Sequence, residues 1–149
     1  MSLVDFLQES NRIEGIHGMP SIPEIKAAEL FLEAPEMSVG ALGKFHAVIA
    51  PKKPLRSRSG MDVRVGSYIA PPGGPNIPLR LAALTMASNT PNDDPWERHC
   101  AFEMLHPYMD GNGRTGRLLW VWQTLRLGRD PFRLPFLQAF YYETLGHSR

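Results

Sequence analysis

Apolar residues recur along much of the chain at intervals of three and four, the spacing of a helix with one buried face. Leu3, Phe6, Leu7 and Ile13 form the first such stretch, which predicts a short amphipathic helix that ends near Gly15. The segments IPEIKAAELFLEA and SVGALGKFHAVIA predict two more helices. Proline is tolerated near the start of the first segment, and a second proline directly follows the other segment and stops it.

The second half of the chain predicts four further helices. The segment LRLAALTMAS forms one, and DDPWERHCAFEML begins another with Asp94 as its N-cap and Pro95 at the first helical position. The next helix is expected to start around Asn112 or Gly113, to include RLLWVWQTLRLG and to end at Gly128. FLQAFYYETL predicts the last helix.

Between these two sets of helices the apolar pattern changes to alternation. Val63, Val65 and Tyr68 alternate with other residues, and the breaker sequence PPGGP follows them. We therefore expect a short β-hairpin with an irregular tip over Met61–Pro78. Because an isolated two-stranded hairpin is marginal in water, it must pack on the helices. The predicted fold class is all-α, a compact helical domain with one small hairpin.

Composition and charge narrow the class of protein further. A length of 149 residues fits a single domain over 1–149, and a net charge of +1 indicates neither nucleic-acid nor membrane binding. The basic cluster at Pro51–Gly60 lacks interleaved aromatic residues, so we interpret it as a solvated loop. The single cysteine, Cys100, cannot form an internal disulfide, and no signal peptide or membrane-spanning run is present. These features predict a cytoplasmic protein.

The segment HPYMDGNGRTGR, from His106 to Arg117, combines residue types that ordinary turns do not need. Gly111, Asn112 and Gly113 open a predicted helix, where main-chain N–H groups can bind an anion. Arg114 and Arg117 are three apart on that helix, and both could bind phosphate oxygens. The segment therefore indicates an anion site.

Two further residues of this segment add reactive chemistry to the anion site. Asp110 offers a hard oxygen ligand for Mg²⁺, and His106 could accept a proton from a hydroxyl. Together they favour phosphoryl or nucleotidyl transfer. An EF-hand starting at Asp110 would need Glu where Val121 stands, and a Walker A sequence is absent. A purely structural glycine-rich turn, with solvated arginines and a core histidine, stays open on composition alone.

The segment resembles the signature of the Fic family, HPFx[D/E]GNGRxxR, and departs from it only at Tyr108. The resemblance implies transfer of AMP from Mg²⁺-bound ATP to a hydroxyl side chain of a target protein. His106 would then be the general base and Asp110 the Mg²⁺ ligand. The anion hole would comprise Gly111, Asn112 and Gly113, and the β- and γ-phosphates would be held by Arg114 and Arg117. The related Doc kinases carry Lys at the position of Gly113, whereas transfer of UMP or phosphocholine is compatible with the signature.

The segment SNRIEG, Ser10 to Gly15, is similar to the inhibitory pattern [S/T]xxxE[G/N] of the same family. The resemblance places an inhibitory helix in residues 1–18 and implies that Glu14 pairs with Arg117 and thereby blocks productive ATP binding. A surface role at a helix end is the structural alternative for Glu14. Removal of AMP from a modified protein, and a toxin–antitoxin-type module that acts by binding, are the alternative functions.

The resemblance also assigns roles to two outer segments. The Met61–Pro78 hairpin falls where the family has a flap that pairs with an extended target segment, and self-modification is a further possibility. AFYYETL resembles the family's adenosine pocket, to which Tyr141 and Tyr142 would contribute, although ordinary core packing explains them equally well. Neither the identity of the target nor the oligomeric state can be inferred from these patterns.

Overall fold

The computed structural model describes residues 1–133. These residues form six helices and one two-stranded antiparallel sheet. The elements, in chain order, are α1 (Leu3–Ile13), α2 (Ile22–Leu32), α3 (Val39–Ile49), β1 (Arg64–Val65), β2 (Tyr68–Ile69), α4 (Asn76–Ser88), α5 (Pro95–Leu105) and α6 (Asn112–Arg126). The predicted all-α fold class with a small hairpin is confirmed.

Local capping explains why several helices begin where the sequence pattern places them. The Ser2 side chain and Asp5 form a reciprocal capping box at the start of α1. Asp94 caps α5 by accepting a hydrogen bond from the main-chain N–H of Trp96, at 2.9 Å, and Pro95 follows at the first helical position. The exit from α6 is marked by Gly128, which has a positive φ of 72°.

Helix α6 is the central element of the described fold. It contacts α1, α2, α3 and α5, and most of its apolar residues are buried, as expected for a helix packed against several others. The fully buried α6 residues Leu118, Leu119 and Val121 pack in one cluster with Phe102 of α5 and Phe45 of α3. The N-terminus of α6, which carries the glycine-rich segment, is thus fixed by the core of the domain.

The hairpin is shorter than the expected Met61–Pro78. Strand pairing joins Arg64 to Ile69 and Val65 to Tyr68, and residues from Asn76 onward already belong to α4. Prolines at 71 and 72 cannot donate a ladder hydrogen bond, which ends the second strand. The Tyr68 hydroxyl donates to the carbonyl of Met104, at 2.6 Å, and ties this small sheet to α5.

The solvated-loop interpretation of Pro51–Gly60 is wrong for one residue. Arg56 is completely buried, whereas Lys52, Lys53 and Arg58 are exposed. Its guanidinium lies against main-chain carbonyls, so it is satisfied by hydrogen bonds rather than by water.

The predicted last helix, with Tyr141 and Tyr142, lies outside the described residues. Among the helices of residues 1–133, none has the length and apolarity needed to cross a bilayer.

Candidate functional site

A cavity of about 550 Å³ opens at the N-terminus of α6. Its wall combines the loop between α5 and α6, the first turns of α6, the end of α1 and strand β1. The lining residues include Glu14, Val63, Arg64, Val65, Glu103, His106, Asp110, Gly111, Asn112, Gly113, Arg114 and Arg117. Most of the residues singled out from the sequence therefore share one cavity, to which both the first and the last of the described helices contribute.

His106 has an unusual backbone that its neighbours hold in place. It caps α5 in the left-handed region, with φ 51° and ψ 61°, a conformation that costs a non-glycine residue roughly 1–3 kcal/mol. Its main-chain N–H donates to Phe102, at 2.9 Å, and its ring Nδ1 lies 3.1 Å from the Glu103 carbonyl. Because a carbonyl can only accept, Nδ1 carries the proton in this hydrogen bond. The neutral ring then has its basic lone pair on Nε2.

The Asn112 side chain closes the loop that leads into α6. Its Oδ1 accepts from the Tyr108 main-chain N–H and its Nδ2 donates to the Tyr108 carbonyl, both at 2.8 Å. The Asn112 side chain therefore helps to fix the shape of the loop that leads into the first turn of α6. Gly111 precedes it with a φ of 80°, which favours glycine, and a Cβ there would lie 2.8 Å from the Cβ of Ala50.

His46 of α3 packs against the loop between α5 and α6 and supports it. This role was not identified from the sequence. Its Nε2 lies 2.7 Å from the Asp110 carbonyl, and its ring stacks on Tyr108 with centroids 3.6 Å apart. Burial lowers the pKa of His46 from its usual value, which favours the neutral ring that donates through Nε2. No local pattern marks His46, because its partners lie more than 60 residues away.

Tyr108, the departure from the Fic signature, is buried at 3% exposure. Burial raises the pKa of its phenol to about 12, so the hydroxyl is protonated at neutral pH. That buried hydroxyl has no hydrogen-bond partner within residues 1–133. An unsatisfied buried hydroxyl is destabilising.

We expect Tyr108→Phe to leave the free energy of unfolding unchanged or to raise it by about 1 kcal/mol, because the variant removes a polar atom that lacks a partner among residues 1–133. Urea denaturation of wild type and variant measures the difference. Tyr108→Leu is the matched control, since it also removes the hydroxyl but loses the ring stacked on His46. A clear loss of stability in Tyr108→Phe itself would contradict the prediction.

The first turn of α6 lines the cavity, and its role as an anion site stays a prediction. The early N–H groups of a helix have no intrahelical partner, and the helix dipole favours negative charge beside them. Gly113 leaves this turn open, because a Cβ there would overlap Glu14 Oε1 and lie 2.8 Å from Arg117 Nη1. Arg114 also lines the cavity, and its Nη1 donates to the Ile49 carbonyl at 3.2 Å.

Arg117 is fully buried and is bound by the end of α1. Its Nε donates to the Ser10 hydroxyl at 2.7 Å, and its Nη2 donates both to the Ser10 carbonyl at 3.0 Å and to Glu14 Oε1 at 2.7 Å. The side chain of Glu14 is 32% exposed, while that of Arg117 is inaccessible. The structure therefore contains the Glu14–Arg117 contact that the resemblance implies, whereas its inhibitory role stays a prediction.

The turn after α1 explains why the SNRIEG pattern ends in Gly. Glu14 is the C-cap of α1, and Gly15 follows it with a φ of 75°. The Gly15 and Ile16 N–H groups donate to the Arg12 and Asn11 carbonyls, which is a Schellman motif. Glycine and asparagine tolerate this left-handed position best, which explains the last position of the pattern.

Asp110 is the candidate metal ligand, and a single carboxylate of this kind suits Mg²⁺ whose other ligands are phosphate oxygens and water. Asp110 is exposed at the cavity, and its Oδ1 accepts from the Gly111 N–H at 2.8 Å, which leaves Oδ2 directed away from that bond. No cluster of three or more His, Cys, Asp or Glu side chains suited to a metal occurs in the described part of the chain. One carboxylate completed by phosphate oxygens and water is the usual way proteins bind Mg²⁺ with nucleotides.

Comparison with known proteins agrees with this geometry. The sequence model of the Fic/DOC family matches residues 22–124. A similar fold occurs in a crystal structure described as a Fic domain containing signaling protein from Bacteroides thetaiotaomicron VPI-5482. That likeness has a TM-score of 0.67 at 19% identity and covers 96% of this chain and 69% of the other. No curated protein matches the chain.

The matched range includes the whole segment from His106 to Arg117, whereas Ser10 and Glu14 lie before it. It also extends over well more than half of the chain. The chain therefore belongs to the Fic/DOC family.

Proposed function

We propose that the protein is an adenylyltransferase, which moves AMP from ATP to a hydroxyl side chain of a target protein. The observation that carries the proposal is the convergence of four features in one cavity: the His106 ring, the Asp110 carboxylate, the open first turn of α6 and two arginines. A proton acceptor beside an anion site is the arrangement that phosphorus transfer to a hydroxyl requires.

The proposed reaction is a single displacement at the α-phosphorus. The target hydroxyl oxygen forms a bond to that phosphorus, the bond to the β-phosphate oxygen breaks, and pyrophosphate leaves. His106 accepts the hydroxyl proton through Nε2, the nitrogen that the Nδ1 contact with Glu103 leaves basic. The α6 N-terminus, with Arg114 and Arg117, would bind the phosphates by charge-assisted hydrogen bonds. Asp110 would hold Mg²⁺, which neutralises phosphate charge when bound.

Strand β1 supports the proposed docking of a target segment. Val63, Arg64 and Val65 line the same cavity as His106, so a segment paired with this strand would pass beside the ring. Pairing through main-chain hydrogen bonds would accept many sequences, which suits a protein substrate. Residues of the protein itself are candidate acceptors by the same chemistry.

Glu14 supports a second part of the proposal, which is autoinhibition. Its carboxylate occupies the Nη2 donor of Arg117 and lies at the open face of Gly113. A phosphate oxygen would compete for both positions, because carboxylate and phosphate bind guanidinium in the same way. Residue 113 is glycine rather than the lysine of the Doc kinases, which favours nucleotidyl over phosphoryl transfer.

The experiment that tests the reaction uses Glu14→Gly protein with Mg²⁺ and ATP labelled at either the α- or the γ-phosphate. We expect label on the protein itself or on lysate proteins from α-labelled ATP only. Label from γ-labelled ATP only would show a kinase and overturn the proposal. The absence of label from both would also overturn it, and AMP removal from a pre-modified protein would then be assayed with the wild type.

A further inference from the structure

The side chain of Arg56, which lies outside the signature segment, forms four hydrogen bonds. It is completely buried, yet it forms neither of the two ion pairs seen within residues 1–133. Its three nitrogens donate instead to four main-chain carbonyls: His106 at 2.6 Å, Leu105 at 2.9 Å, Met61 at 3.0 Å and Pro71 at 2.7 Å. Such a planar fork can satisfy acceptors in several directions at once, which a lysine cannot do.

These four acceptors belong to two different parts of the site. Leu105 and His106 provide the last carbonyls of α5, where a helix end attracts a cation. Met61 and Pro71 flank the hairpin on its two sides, before β1 and after β2. Arg56 therefore joins the end of the helix that carries His106 to the base of the hairpin.

The main chain of Arg56 reinforces the same connection. Its N–H donates to the Pro107 carbonyl, and its carbonyl accepts from the Gly74 N–H, both at 2.9 Å. Space around the hairpin base is also tight, because a Cβ on Gly73 would lie 2.5 Å from the Met61 carbonyl oxygen. The hairpin base, Arg56 and the His106 backbone thus form one closely packed unit.

The backbone of His106 is left-handed, and the contacts with Arg56 help to hold it in that conformation. A conformation that is unfavourable for histidine persists only where its surroundings hold it, and the shortest of the four Arg56 bonds, at 2.6 Å, ends on the His106 carbonyl. A small error in the placement of a reacting group reduces the rate strongly. The Arg56 guanidinium thus bonds directly to the backbone that carries the His106 ring.

We propose that Arg56 is a positioning residue, which holds the His106 ring and the hairpin in one fixed relation so that a target segment paired with β1 presents its hydroxyl to Nε2. This inference rests on the proposed function. In this proposal Arg56 positions the groups that react, whereas Arg114, Arg117 and the α6 N-terminus bind the nucleotide.

The test compares Arg56→Lys and Arg56→Gln with Arg58→Lys, all in the Glu14→Gly background. Arg58 is the matched control, because it lies two residues away in the same basic segment and is exposed. The first readout is the ¹⁵N spectrum of the histidine rings in the full chain, in which the His106 signal is assigned by its loss in His106→Asn. The second is the rate of AMP labelling as a function of ATP concentration.

We expect both Arg56 variants to change the ring ¹⁵N shifts of His106. They should lower the labelling rate at saturating ATP by tenfold or more, with the KM for ATP within twofold of the parent. Arg58→Lys should match the parent in both readouts. If the Glu14→Gly parent does not transfer AMP, the proposed function fails, and the ring spectrum alone decides the role of Arg56.

Two results would overturn the inference. One is a folded Arg56→Lys or Arg56→Gln protein whose thermal stability is lower but whose His106 ring signals and rate at saturating ATP match the parent. The other is failure of both variants to fold, since Arg56 would then serve the stability of the domain with no separable effect on His106.

Discussion

Glu14→Gly should raise the rate of AMP transfer about tenfold to a hundredfold and strengthen productive ATP binding. The variant removes the carboxylate that accepts a 2.7 Å hydrogen bond from the fully buried Arg117. A hydrogen bond to a charged group contributes about 1.5–3 kcal/mol net, and each 1.4 kcal/mol corresponds to a factor of ten. Without this competitor, a phosphate can bind the same guanidinium and the open face of Gly113.

The measurement is the initial rate of label incorporation from α-labelled ATP, with the dissociation constant for ATP taken from calorimetry. Glu33→Gly is the matched control, because Glu33 is likewise the C-cap of its helix, α2, but is exposed and forms neither of the ion pairs found within residues 1–133. The control should equal wild type in both quantities. A Glu14→Gly protein that is folded but no faster than wild type would show that the contact does not restrain the enzyme.

The same substitution has a second consequence that separates inhibition from a merely structural role. Without Glu14, the buried Arg117 loses its carboxylate partner and keeps the hydrogen bonds to the Ser10 hydroxyl and carbonyl. The ligand-free variant should therefore unfold at a lower temperature than wild type. ATP should then raise the melting temperature of Glu14→Gly more than that of wild type, because phosphate replaces the missing carboxylate. Equal shifts in the two proteins would mean that nucleotide does not reach Arg117.

The sequence predicts those parts of the fold that depend on local pattern. Helix positions follow from apolar spacing and caps, as at Asp94 and Gly15, and the long signature by itself identifies His106, Asp110 and the α6 N-terminus as parts of one site. The hairpin is predicted in the right place but is too long. The PPGGP sequence indicates that strand pairing ends, but it does not indicate that α4 begins directly after it.

The contacts between distant segments have no counterpart in the sequence pattern. Arg56 and Arg58 look alike in a basic stretch, and only the tertiary fold places one of them among four carbonyls while the other stays exposed. His46 is a similar case, because it supports the carbonyl of Asp110 from a helix that lies 64 residues earlier in the chain. These residues act on main-chain groups, and such contacts leave no spacing pattern along the chain.

Removal of the proposed general base should have the largest effect on transfer. His106→Asn, in the Glu14→Gly background, is expected to lower the rate about 10²–10⁴-fold, the usual contribution of acid–base catalysis. Asparagine is chosen because it tolerates the left-handed backbone found at this position. His106→Ala removes the ring as well but adds backbone strain, so comparison of the two variants separates lost chemistry from a disturbed loop.

Binding of ATP should survive these substitutions, since the phosphates are assigned to the α6 N-terminus, Arg114 and Arg117 rather than to the His106 ring. We expect the dissociation constant for ATP in His106→Asn to stay within about twofold of the parent, a difference well below 1.4 kcal/mol. Calorimetry at saturating Mg²⁺ measures it. Loss of nucleotide binding in a folded His106→Asn protein would make His106 a binding residue, and another group would then have to take the hydroxyl proton.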